Sequence, residues 1–346
     1  KNAVLTLVKH PHLRRPGFSR LSKRSTRGAG PETPESGMGF ALKGSMSPTR
    51  QVLTITLSFA GFAALFFLTF SAHAEVRRLE IPPSLTNPAI FQATSPHLAL
   101  RDDAVAASGF LVITLGGTNS RTSDFHHVHQ VALSEGHAVL GIDYPNNVIS
   151  TTCRNAAPNC FDQFRAEVAT GVAGSEIVQV DAVNSILNRI QSLVHLLANR
   201  DERWGGFMKN RSVDWNKVIL MGHSQGAGHA AYLAKFVAVK RLVLFAGPQD
   251  AHADEVASWT HLPGKTPPDH IFAFLHAKDF FDAKLQLKVN EALHEGRKLE
   301  VSKVDATTSA KLSHVIVSER PAQDGHHAVL YPPNEDVFRE LLGADL

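Results

Sequence analysis

The sequence predicts an α/β protein: a mostly parallel sheet with helices on both faces. Two observations carry this. Short, continuously apolar runs recur from residue 109 onward, as strands buried on both faces require. Between them lie segments with a helical stripe or an Ala/Gly-rich helical composition. No internal repeat or long linker follows residue 75, so one domain over 75–346 is the expected organisation.

In chain order, Gly109–Leu115 (GFLVITL) is the first such strand and runs into Gly116-Gly117. Residues 122–135 suit a helix stopped by Gly136, and 137–143 (HAVLGID) form a second strand closed by Tyr144-Pro145-Asn146. From Val183 to Ala198, the apolar residues Val183, Leu187, Ile190, Val194 and Leu197 recur at spacings of three and four, which marks a core-facing helix. Lys217–Met221 (KVILM), Arg241–Phe245 (RLVLF) and His270–Leu275 (HIFAFL) read as further strands. His314–Ser318 is a weaker one, and residues 335–342 offer a closing helix.

The net charge of +3 on 346 residues misleads about partners. Residues 1–50 hold ten Lys and Arg against two acids, Glu32 and Glu35, and residues 51–74 hold no charge; from residue 75 onward 25 bases face 30 acids. The excess of bases belongs to the leader, and a nucleic-acid partner is not expected. Val52–Phe70 is an almost unbroken apolar run followed by Ser71-Ala72-His73-Ala74. Residues 46–74 therefore read as a signal peptide cleaved after Ala74, with an uncleaved membrane anchor as the alternative. Residues 1–45, rich in Arg, Pro, Gly and Ser, are expected to be a basic disordered tail or an over-extended reading frame ahead of Met46. An exported protein with only Cys153 and Cys160, seven positions apart, is expected to join them in a local disulfide.

The richest stretch is Val218–Met221 followed by Gly222-His223-Ser224-Gln225-Gly226 and then Ala227, Gly228, Ala230 and Ala231. A G-x-S-x-G pattern between a β-type run and a small-residue helix is the setting of a nucleophile elbow, with Ser224 as nucleophile. Gly222 and Gly226 suit a strained turn with little room for side chains. A serine hydroxyl needs a base to take its proton, and the base needs an acid to orient it, in the chain order Ser, acid, His. Asp279, just beyond the strand ending at Leu275, is the preferred acid, ahead of Asp250 and Asp282. His326, following Gly325, is preferred to His327 as base. The backbone amide of Gln225 and that of Thr118, after Gly116-Gly117, are the expected oxyanion donors.

Beyond these motifs, the chain carries Gly116-Gly117-Thr118, Asp143-Tyr144-Pro145-Asn146, Cys153 with Pro158-Asn159-Cys160, and Asn184-Ser185-Ile186-Leu187-Asn188-Arg189. It also carries Gly247-Pro248-Gln249-Asp250, and His276 with Asp279. Over roughly residues 100–343 it resembles the α/β-hydrolase superfamily, within it a group of exported bacterial and fungal hydrolases. The resemblance implies an eight-stranded hydrolase fold, a Cys153–Cys160 bridge near the site and a Ser224/Asp279/His326 triad. Where related chains have a lone histidine, this one has His326-His327.

Phe125-His126-His127-Val128-His129 invites a metal reading through His126 and His129. Two ligands are too few, so packing or solvated histidines are the expectation, with neither metal nor cofactor. The activity expected is hydrolysis of a small-molecule or polymeric carboxylic ester through an acyl-enzyme. A lipase or peptidase with the same triad, and a non-catalytic binding protein on the same scaffold, are the alternatives.

Overall fold

The apolar runs pair side by side because a strand with side chains of one character on both faces can only be buried on both. In the computed structural model, which describes residues 76–253 and 255–343, nine strands form one sheet. They are β1 (Val76–Ile81), β2 (His97–Asp102), β3 (Leu111–Leu115), β4 (Ala138–Ile142), β5 (Val218–His223), β6 (Arg241–Phe245), β7 (Ile271–His276), β8 (Val301–Val304) and β9 (Val315–Ser318). Their order is β1-β2-β4-β3-β5-β6-β7-β9-β8. β1 and β2 run antiparallel, and every pairing from β4 through β3 to β8 is parallel. The leader, with its expected cleavage site after Ala74, lies outside the described residues.

The count of nine corrects the eight strands implied by the resemblance. The strands without an apolar run are those toward the edges. β1 (VRRLEI) exposes five of its six residues and β8 (VSKV) is half exposed, so neither needs continuous hydrophobicity.

Alternate residues of the central strands feed two cores. Leu111, Ile113, Leu115, Leu140, Leu220 and Leu244 pack with Phe164, Ile190 and Val194 on one face. That face is covered by helices α2 (Cys160–Thr170), α3 (Ile186–Arg200) and α4 (Gln225–Ala234). Val112, Val139, Ile219, Met221, Val243 and Phe245 pack on the other face against Val128, Leu133, Phe338 and Leu341. These last four belong to helix α1 (His126–Ser134) and to the C-terminal helix Glu335–Leu342.

The first helix is shorter than its pattern, because Thr122–Phe125 form a 3₁₀ turn ahead of it. Gly136 does end it, at φ 77°, pressed against the Ala106 carbonyl where no Cβ would fit. The helical stripe at 183–198 is shifted to 186–200 because Ser185 caps it, accepting from the Asn188 amide. Cys153 and Cys160 form the expected disulfide, tying the turn Ser150–Asn155 to the first residue of α2. Among the described residues, no helix is long and apolar enough to cross a membrane.

Candidate active site

The segments after the carboxyl ends of β3, β5, β7 and β9 carry Thr118, Ser224, Asp279 and His326 respectively, His326 within the short helix Gly325–Ala328. In an open parallel sheet that rim is where a ligand site forms.

At the elbow, β5 ends at His223, Ser224 takes φ 54° and ψ −120°, and α4 begins at Gln225. This left-handed serine is strained, a cost on the order of 1–3 kcal/mol that surrounding contacts must offset. One such contact is the Ser224 amide donating to the Phe245 carbonyl at 2.9 Å. The flanking glycines answer to space. A Cβ on Gly222 would stand 2.2 Å from the Gly226 carbonyl oxygen, and one on Gly226 would stand 2.2 Å from that of Leu115.

His326 Nε2 lies 2.8 Å from Ser224 Oγ, and its Nδ1 lies 2.8 Å from Asp279 Oδ2. An ionised carboxylate can only accept, so Nδ1 carries the proton and the Nε2 lone pair faces the hydroxyl. All three residues are buried. Burial alone would raise the pKa of Asp279. Donation from His326, Gln286 Nε2 and the Phe281 amide outweighs it and holds the carboxyl below its ordinary value.

The other candidates have different surroundings. Asp282 caps the helix α5 (Ala283–Leu293), accepting from the amides of Lys284 and Leu285. Asp250 is fully buried in a two-pronged ion pair with Arg165. His327 is half exposed and bonds Asp324 at 2.7 Å. His126 and His129 part company: His129 is buried against Thr114 Oγ1, whereas His126 is exposed, 6.1 Å from the Tyr331 ring. Among the described residues, no three His, Cys, Asp or Glu side chains are grouped as metal ligands.

The loop carrying Thr118 is held from three sides. Tyr144 donates its hydroxyl to the Gly116 carbonyl, and Asn146 Nδ2 donates to those of Gly117 and Ser120. Thr118 Oγ1 donates to Gln225 Oε1 at 2.7 Å, joining the two residues expected to supply oxyanion donors. The Gln225 amide opens α4, where no preceding turn offers it a carbonyl. Gly117 packs on Ser224, since a Cβ there would lie 3.1 Å from Ser224 Cβ.

Several supporting residues were not legible. Gln286, on the buried face of α5, was missed because it looks like any polar helix residue. His223 stands at a variable position of the G-x-S-x-G pattern, where the residue type carries no signal. Burial, with the neighbouring His326 imidazole next, pushes its pKa down to about 3, so it is neutral and donates Nε2–H to the His326 carbonyl. Asp143 of the Asp-Tyr-Pro-Asn stretch accepts from Ser95 and Arg189, anchoring the start of the loop that Asn146 completes.

No protein-family model matches the chain, and no curated protein matches it.

Proposed function

We propose that this chain is a serine hydrolase with an α/β-hydrolase fold that cleaves carboxylic esters through an acyl-enzyme. The observation that carries the reading is the continuous relay from Ser224 Oγ through His326 to Asp279, both links at 2.8 Å. In this reading His326 Nε2 takes the hydroxyl proton as Ser224 Oγ bonds the ester carbonyl carbon. Asp279 fixes the imidazole tautomer and stabilises its cation. The tetrahedral oxyanion is met by the amides of Gln225 and Thr118. His326 then returns its proton to the departing alkoxide oxygen, and the C–O bond breaks. Water repeats the sequence on the acyl-enzyme, releasing the acid and freeing Ser224. The chemistry needs no cofactor.

Export fits this reading, supported by the disulfide, which belongs to oxidising compartments, and by the apolar run ahead of Ala74. The test is p-nitrophenyl ester hydrolysis and fluorophosphonate labelling by residues 75–346, beside Ser224→Ala. Turnover and labelling are expected in the wild type and at background in the variant. Equal rates in both would end the hydrolase reading.

A further inference from the structure

Asp250 and Arg165 are both fully buried, yet neither hydrogen-bonds to Ser224, His326 or Asp279. Arg165 Nε and Nη2 donate to the two Asp250 oxygens at 2.8 and 2.7 Å, and Trp259 Nε1 adds a third bond at 3.0 Å. The remaining guanidinium nitrogen, Nη1, donates to the Gln225 carbonyl at 2.8 Å. The guanidinium lies against the first turn of α4: a Cβ on Gly228 would stand 2.2 Å from Arg165 Cζ and Nη2. Gly228 is therefore small to admit an arginine, beyond any need of helix-to-sheet packing.

Buried ion pairs are poor sources of stability, because desolvating two charges costs about as much as their attraction returns. Here the pair leads to one place, the residue after the nucleophile. We infer that Arg165, braced by Asp250, is a positioning residue that clamps the first turn of α4 so that the Gln225 amide stays aimed at the developing oxyanion. The inference rests on the serine-hydrolase reading. Arg165 sits in α2, whose first residue is the disulfide-bonded Cys160, so the clamp is itself tied down.

The test compares wild type with Arg165→Lys, which keeps a charge beside Asp250 but has a single nitrogen that cannot span to Gln225. Trp259→Phe, which removes one bond to Asp250 and spares the fork, is the control. With p-nitrophenyl acetate, kcat in Arg165→Lys is expected to fall about 100-fold with KM within about twofold, because the misplaced group acts in the transition state. Trp259→Phe is expected to stay far closer to wild type. Unchanged kcat in Arg165→Lys, or a KM increase accounting for the whole loss, would overturn the inference.

Hydrogen exchange at the Ala227 amide, which donates to the Ser224 carbonyl at 3.0 Å across the same first turn, needs no substrate. It is expected to be faster in Arg165→Lys, and an unchanged rate also overturns the clamp. If Arg165→Lys does not fold, Arg165→Met with Asp250→Leu leaves no charge unpaired and takes its place. Failure of both to fold would make the pair structural and sink the positioning role. If wild type turns over no ester faster than Ser224→Ala, the hydrolase reading fails separately, and the exchange result alone decides the clamp.

Discussion

A Cβ placed on Gly325 would stand 2.7 Å from the carbonyl carbon and oxygen of Lys278, so the turn bearing His326 and the turn bearing Asp279 touch backbone to backbone. His276 reinforces the contact, accepting from the Lys278 amide through Nδ1 and donating through Nε2 to the Arg320 carbonyl. The glycine before the histidine is thus a spacer that lets two loops meet, not a source of flexibility. Gly325→Ala is expected to push the turns apart and cost about 1–3 kcal/mol of stability, as overpacking does. Chemical denaturation measures the cost, and kcat should fall about 100-fold if a displacement near 1 Å follows. Wild-type values for both would show that the turns yield freely.

The adjacent histidines should separate cleanly in kinetics. His326→Ala removes the group between Ser224 and Asp279 and is expected to lower kcat by about 10⁴ or more. His327→Ala loses a half-exposed bond to Asp324 and should keep kcat within about threefold. Comparable losses in the two would remove the distinction drawn from the geometry.

Acid should destabilise the protein well before its carboxylates titrate. Burial, with nearby Arg189 for His97 and Arg78 for His129, lowers both histidines from 6.5 to about 3, as it does His223. Between those values the unfolded chain binds protons that the folded one refuses, so stability falls as pH drops from 6.5 toward 3. His129→Gln should make urea-measured stability less steep below pH 6 by up to about 1.4 kcal/mol per pH unit. Asp279 has the same sign in a lower pH window. Its folded carboxyl titrates below 3.8, so the stability cost of Asp279→Asn should hold from neutral pH and shrink only as pH falls through that value.

Opening the Cys153–Cys160 bridge should have a modest cost. The cysteines are seven positions apart, and cross-linking so short a loop contributes about 2 kcal/mol in the chain-entropy picture. Denaturation of the oxidised protein and of Cys153→Ser/Cys160→Ser checks the value. A loss near zero would mean that the reduced chain already holds this turn.

Phe280 is 64% exposed, yet its ring centre lies 5.0 Å from His326 and 4.5 Å from Phe281. Under the proposed ester hydrolysis, an apolar surface beside His326 should favour apolar esters. Phe280→Ser is expected to lower kcat/KM for butyrate esters more than for acetate, and equal effects would remove Phe280 from substrate contact.

Local patterns were enough for much of this protein. Strands buried on both faces must be apolar throughout, so β3, β4, β5, β6 and β7 were each visible as a short run. The elbow was visible because its glycines, its serine and its helix are contiguous. The edge strands β1 and β8 were not, since exposure relaxes the demand for apolar residues.

Chain order narrowed the acid and the base to a few residues but could not choose by contact. Asp250 and Asp279 both follow buried strands, and what separates them is the neighbour each meets across the sheet: Arg165, 85 positions away, or His326, 47 positions away. Those meetings depend on strand order and on how closely loops approach, as Gly325 does Lys278 and Gly228 does Arg165. They are long-range packing events with no period or motif in the chain, so they exist only once the sheet has closed the distance.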